Sequence, residues 1–275
     1  MKLEDVRPAD CHARARRLLA EISTIRDEMG RSDDARPGPE VTDAKPRECY
    51  FEALATWNKI DRLAGEVGAP PARFTLVVPP LRDVKPGHVL QVIDAGLARV
   101  DSIKHRLQIT ERHPDGAAEP NRQPSDVLVT LVHANRELSR ALERPFAPSD
   151  CYDAVARASS YAARMGAAAE LAPYERRRQP QHCYERLVAC HAVVAKLIAS
   201  KGESALATRG TPSHVLPGDV YDLASLVLGE VAFLHSLMPN ATPMHAFEPV
   251  GTGHRLPAHV DQLARTLEAQ LGSLK

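Results

Sequence analysis

Proline, any residue, a polar residue and then cysteine or valine form a pattern that occurs eight times, at Pro8, Pro46, Pro86, Pro124, Pro148, Pro180, Pro217 and Pro257. An internal repeat constrains a fold more than any single motif, because every copy must build the same local structure. Here that structure is a helix start. Proline brings its φ near the helical value and has no N–H to leave unpaired, so it suits the first turn. An acid two residues later meets the positive end of the helix dipole. His88, His182 and His259 replace the acid in three copies. A protonated imidazole is unfavourable there, so the pattern asks for a neutral or solvent-facing ring.

After each motif the apolar residues step by three and four. The sixth copy reads Cys183, Leu187, Cys190, Val194 and Leu197; the third reads Val89, Ile93, Gly96, Val100, Ile103 and Leu107; the fourth reads Val127, Leu131, Ala134, Leu138 and Ala141. The first reads Cys11, Leu18, Ile22, Ile25 and Met29, with Ala15 in the gap. That is the seam of a helix bundle, with the Cys or Val as its first core layer. The pattern predicts helices over 8–29, 46–66, 86–109, 124–143, 148–171, 180–200, 217–237 and 257–273. Gly30, Gly68 and Gly202 stand where a left-handed residue stops a helix. Scarce aromatics, 4% of residues, favour a closely packed aliphatic and alanine-rich interior over a sandwich or barrel. The expected fold class is all-α.

The motifs also match in order between two halves. Cys occupies the first two copies of each half and Val the last two, and Pro-Gly is confined to the third. We therefore expect a tandem duplication of a four-helix unit over 1–145 and 146–275, packed together as two units or one continuous bundle. The connections are rich in Pro and Gly and long, except the link from Arg144 to Ala147. Fifteen extended residues reach ~50 Å, more than the ~31 Å of a 21-residue helix, so the connections leave helix directions open. The stretch Arg73 to Pro80 is extended and apolar, and should lie on a bundle surface.

Composition removes several function classes. Thirty-five basic residues balance thirty-five acidic ones, so no net field favours nucleic acid. Arg176, Arg177 and Arg178 read as a solvated linker. No apolar run approaches the ~18 residues of a membrane span. The first residues, Met1 to Asp5, lack the basic and apolar regions of a signal peptide, which points to the cytoplasm, or to the periplasm if a leader has been removed. The five cysteines include no Cys-x-x-Cys. Four of them, Cys11, Cys49, Cys151 and Cys183, share a slot that Val fills elsewhere, so all five are expected to be buried, reduced and metal-free.

Catalytic chemistry is hard to find. There is no Gly-rich phosphate loop, no Gly-x-Ser-x-Gly, and no Glu-x-x-His or His-x-x-x-His among twelve histidines. Asp101 with His105, and His133 with Glu137, have the spacing of ordinary helix-surface pairs. Cys190 lies on the seam and His191 one step off it, so they point apart. No metal and no cofactor are expected. Tyr50, Tyr152, Tyr184 and Tyr221 directly follow the Cys or Val and suit a staple at each helix entry.

The functional expectation is a non-enzymatic binding, scaffold or sensor module that takes a protein partner or small ligand where the two halves join, and that can pair as a homodimer. The alternative is a metal- or ligand-dependent enzyme using loop histidines His214, His245 and His254. The fifth helix is thin, with Ala158 and Ala162 among eight alanines, and either packs closely or leaves a void for a ligand. Around it, Tyr152 and Tyr161 are candidate anchors and Arg140, Arg144 and Arg157 candidate rim charges.

Overall fold

The computed structural model describes residues 3–31, 41–71, 79–142, 146–206, 214–239 and 254–274. Among them are eight α-helices: α1 (Pro8–Glu28), α2 (Pro46–Glu66), α3 (Pro86–Arg106), α4 (Pro124–Ala141), α5 (Pro148–Arg164), α6 (Pro180–Ser200), α7 (Pro217–Ser236) and α8 (Pro257–Ser273). The described residues contain no strand. The chain forms two compact units, Met1–Arg144 and Pro145–Lys275. The extended stretch expected on a bundle surface, Arg73 to Pro80, lies mostly outside the described residues.

Every helix begins on the motif proline, and the polar residue two positions on explains why. The residues before the prolines, from Arg7 and Lys45 to Leu216 and Leu256, supply no side-chain cap. The cap comes instead from the third helical residue, which accepts the N–H of the residue preceding proline. Asp10 accepts from Arg7 at 2.8 Å, Glu48 from Lys45 at 2.6 Å, Asp126 from Gln123 at 2.8 Å, Asp150 from Ala147 at 2.8 Å and Asp219 from Leu216 at 2.7 Å. In the other copies the Nδ1 atoms of His88, His182 and His259 accept from Lys85, Gln179 and Leu256, each at 3.0 Å. This is the acidic half of a capping box used alone. A backbone N–H can only donate, so Nδ1 is the accepting atom in each of these three rings.

Glycines in the left-handed region stop the helices. Gly30, Gly68 and Gly202 have φ of 67°, 70° and 78°. Gly166, at φ 87°, ends α5 seven residues short of the expected Leu171. Ala167 then donates back to the Ala162 carbonyl at 3.2 Å. The alanines after Gly166 suit a helix by propensity, but the terminating hydrogen bond overrides them. Gln108 does the same for α3 with φ 60°, where Ile109 donates to the Lys104 carbonyl at 2.9 Å.

In unit 1, α1 and α2 each pack against both α3 and α4, so consecutive helices α1 and α2 sit diagonally. In unit 2, α5 and α6 each pack against both α7 and α8 in the same order. The four helix starts of unit 1 meet at one end: Pro8, Cys11, Pro46, Cys49, Pro86, Val89, Pro124 and Val127 surround one dent. Late residues meet in turn, Arg26 with Glu137 and Lys59 with Ser139. The four helices therefore run parallel, which is why the connections are long: each must travel back the length of a helix. The connection 107–123 crosses the outside of α1, where Asp115 binds Arg14 at 3.0 Å and Arg17 at 3.2 Å, and Glu119 binds Arg16 at 3.1 Å. In unit 2 the connection 165–179 crosses α8, where Ala172 donates to Thr266 Oγ1 at 3.0 Å and accepts from Gln262 at 2.7 Å.

The core follows the seam. Ile22, Ile25, Ile60, Leu63, Val100, Ile103, Leu131 and Leu138 fill unit 1. Cys183, Leu187, Cys190, Val194, Ala224, Val227, Val231 and Leu267 fill unit 2. On α6 the last core position is Ile198 and not Leu197, because helical spacing carries the seam four residues on from Val194.

Candidate functional site where the helix starts converge

The repeated chemistry gathers at the helix starts. In unit 1 the Cys11 thiol donates to the Pro86 carbonyl at 3.2 Å, and the Cys49 thiol to the Pro124 carbonyl at 3.1 Å. In unit 2 Cys151 donates to the Pro217 carbonyl at 3.9 Å and Cys183 to the Pro257 carbonyl at 3.2 Å. The order of Cys and Val in the repeat thereby acquires a cause. The first two helices of each unit carry a donor, and the neighbouring third and fourth helices offer the carbonyl of their own first proline. Cys190 makes the same kind of bond two turns further in, to the Ala264 carbonyl at 3.2 Å.

All five thiols are buried and none is in a disulfide. Burial, followed by nearby acidic groups, pushes Cys11, Cys183 and Cys190 up to about 12, and Cys49 and Cys151 upward as well. Thiols in that state are poor nucleophiles and poor metal ligands. The dent that Cys11 and Cys49 line in unit 1 is shallow and open to solvent, with room for about one water, far less than a small-molecule site needs.

The motif tyrosines brace neighbouring helix entries. The Arg255 guanidinium, two residues before Pro257, lies 4.3 Å above the Tyr152 ring. Phe146, two residues before Pro148, stacks on Tyr221 at 4.3 Å with 21° between planes. Tyr50 differs. It is 1% exposed, its hydroxyl has no hydrogen-bond partner among the described residues, and burial pushes it up to about 12.

Spacing of metal pairs did not reveal the polar layer inside unit 1. Glu21, Lys59, Arg99 and Glu137 stand at the same distance from the proline of their own helices. Lys104 is 0% exposed and binds Glu21, whose other oxygen accepts the His113 N–H at 3.0 Å. Burial raises the Glu21 carboxyl, but the bonds and charge from Lys104 and His113 outweigh it and hold it low. Lys59 donates to Ser139 at 2.9 Å, Arg99 to Asp61 at 2.9 Å, and Arg26 binds Glu137. The same register in unit 2 holds Tyr161, Val193, Glu230 and Gln270, a largely uncharged set. Aligning the helices on their prolines would have exposed this layer; a search for metal spacings could not.

The residues marked out around α5 are distributed as follows. Ala158 and Ala162 are 0% exposed within the core of unit 2. Tyr152 and Tyr161 are nine positions apart, half a helical revolution beyond two turns, and flank the seam on opposite sides. Tyr152 lies under Arg255, whereas Tyr161 packs against the His235 ring at 5.2 Å. Arg157 binds Asp153 at 2.8 Å. Arg140, in unit 1, binds Glu137, and Arg144 lies outside the described residues. Among the loop histidines, His214 and His254 are exposed and His245 lies outside the described residues. Among the described residues no three His, Cys, Asp or Glu side chains form a metal-sized group, and no helix is long and apolar enough to cross a membrane. Comparisons with protein-family models, curated proteins and solved structures found no match.

Proposed function

We propose that this protein is a non-catalytic helical binding or scaffold module that presents its helix surfaces to a protein partner. One observation supports this reading. The side chains that recur with the repeat are used to hold the frame. Thiols donate to proline carbonyls, third-position acids and histidines cap helices, and tyrosines brace helix entries. Groups used that way are not available to a substrate, so recognition falls to surfaces outside the repeat.

In-cell crosslinking with mass spectrometry tests the reading on the intact protein. The crosslinked partners should persist when Cys183→Val or Cys190→Val removes a candidate nucleophile, since neither thiol meets solvent. Loss of those partners in either variant, at unchanged abundance and melting temperature, would instead give the thiols a role beyond the frame.

A further inference from the structure

The outward side of α6 breaks the rule that a bundle helix shows charge to water. Its core side is Cys183, Leu187, Cys190, Val194 and Ile198. At about 100° per residue, the opposite side carries Glu185, Val188, Ala189, Ala192, Lys196 and Ala199. Glu185, Ala192, Lys196 and Ala199 are exposed, and Val188 and Ala189 are half-buried. The outward positions of α3 are Gln91, Asp94, Ala98, Asp101 and His105, all exposed, and by contrast only Ala98 among them is apolar. The α6 face has two charges of opposite sign, and both lack an ionic partner among the described residues. Glu185 has only a hydrogen bond from Gln181 at 2.8 Å, and Lys196 has no ion pair.

We propose that this face docks on the same face of a second copy of the chain, with the two α6 helices antiparallel about a two-fold axis. Charge complementarity selects the occupant and the direction. Glu185 and Lys196 are about 16 Å apart along the helix, on either side of a midpoint between Cys190 and His191. Antiparallel pairing about that midpoint sets Glu185 over Lys196 of the second copy, twice, and Ala192 over its Ala189. A parallel pair would set like charges together. The alanines let the helices approach closely and lose no side-chain entropy on contact. The contact is isologous, as a two-fold interface requires. A single helix pair is at the small end of specific interfaces, so the dimer assembles as concentration rises. This inference does not depend on what the module binds elsewhere.

Sedimentation of the full chain across a range of concentrations measures the assembly. Glu185→Lys and Lys196→Glu should each weaken it roughly tenfold or more, because each places two like-charged pairs in the contact. The double variant E185K/K196E should recover wild-type assembly, and an equimolar mixture of the two single variants should form mixed dimers. Ala192→Arg should abolish assembly. At concentrations too low for assembly, circular dichroism and melting should stay unchanged in every variant, since these side chains lie outside the core. A wild-type chain that stays monomeric at all concentrations overturns the proposal. So does a dimer indifferent to Ala192→Arg and to the charge reversals.

Discussion

A cysteine that alternates with valine looks like a small apolar filler, and the thiol-to-carbonyl bonds add a second role. Sulfur is a weak donor, and the proline carbonyl it reaches can still accept within its own helix. We expect Cys183→Val to cost under ~1 kcal/mol in urea unfolding, since it keeps the volume and loses one weak bond. Cys183→Asp should cost several-fold more, because burial penalises a charge at a site 2% exposed. Native thiol labelling should be slow, and the unfolded chain should count five. The capping histidines work through one lone pair. His182→Asp puts a charged acceptor in the same place at the positive end of α6, and should raise stability by roughly 0.3–1 kcal/mol at neutral pH. His182→Ala, which leaves the Gln179 N–H without its partner, should lower it by about 1 kcal/mol.

Helices here owe their limits to single contacts. Gly87 sits in the first turn of α3, where alanine would ordinarily be favoured by about 1 kcal/mol. A Cβ on Gly87 would meet the Leu3 carbonyl oxygen at 2.4 Å and the Leu3 Cα at 2.9 Å. The 3-10 turn Leu3–Asp5 crosses α3 at that point, and no flexible side chain can move aside. Gly87→Ala should therefore destabilise the full chain, and should become stabilising once residues 1–5 are removed. Thermal melts of the four combinations decide it. On α5, Ala158 is fully buried against a packed core. Ala158→Leu should cost ~1–3 kcal/mol by overpacking, read as a lower melting temperature.

At the scale of the whole molecule, buried and half-buried histidines contribute to the response to acid. His12 and His133 in unit 1, and His191 and His235 in unit 2, are held below the ordinary histidine range, first by burial. The unfolded chain takes up those protons near pH 6.5 while the fold resists them, so unfolding binds protons in that window. Stability is full above that range and falls as pH drops through it. Urea midpoints measured from pH 7.5 to 5 should decline, and His191→Gln should flatten part of the decline. The two units also differ in their layers. Unit 1 encloses Lys104 against Glu21 at 0% and 1% side-chain exposure, whereas unit 2 has largely uncharged residues at the same register. Removing one partner of such a buried pair leaves a charge in the core. Glu21→Gln should thus cost more than Ser159→Ala, which releases only a neutral hydrogen bond to Gln270.

Local rules carried the sequence a long way. Proline's fixed φ, the third-position acceptor and helical spacing act within one turn, so all eight helix starts and the seam were legible in the chain. Glycine stops were legible for the same reason, except where Gly166 was masked by the alanines around it. Helix direction was not legible. A long connection is free to return along its helix or to stop short, and only the meeting of four proline starts at one end made the unit parallel. Nor did spacing reveal the purpose of the Cys and Val order, because the carbonyl that Cys11 reaches belongs to a helix 75 residues away. The pairing of Lys104 with Glu21 likewise depends on which helices became neighbours. Periodicity says which side of a helix is buried; packing decides what it is buried against.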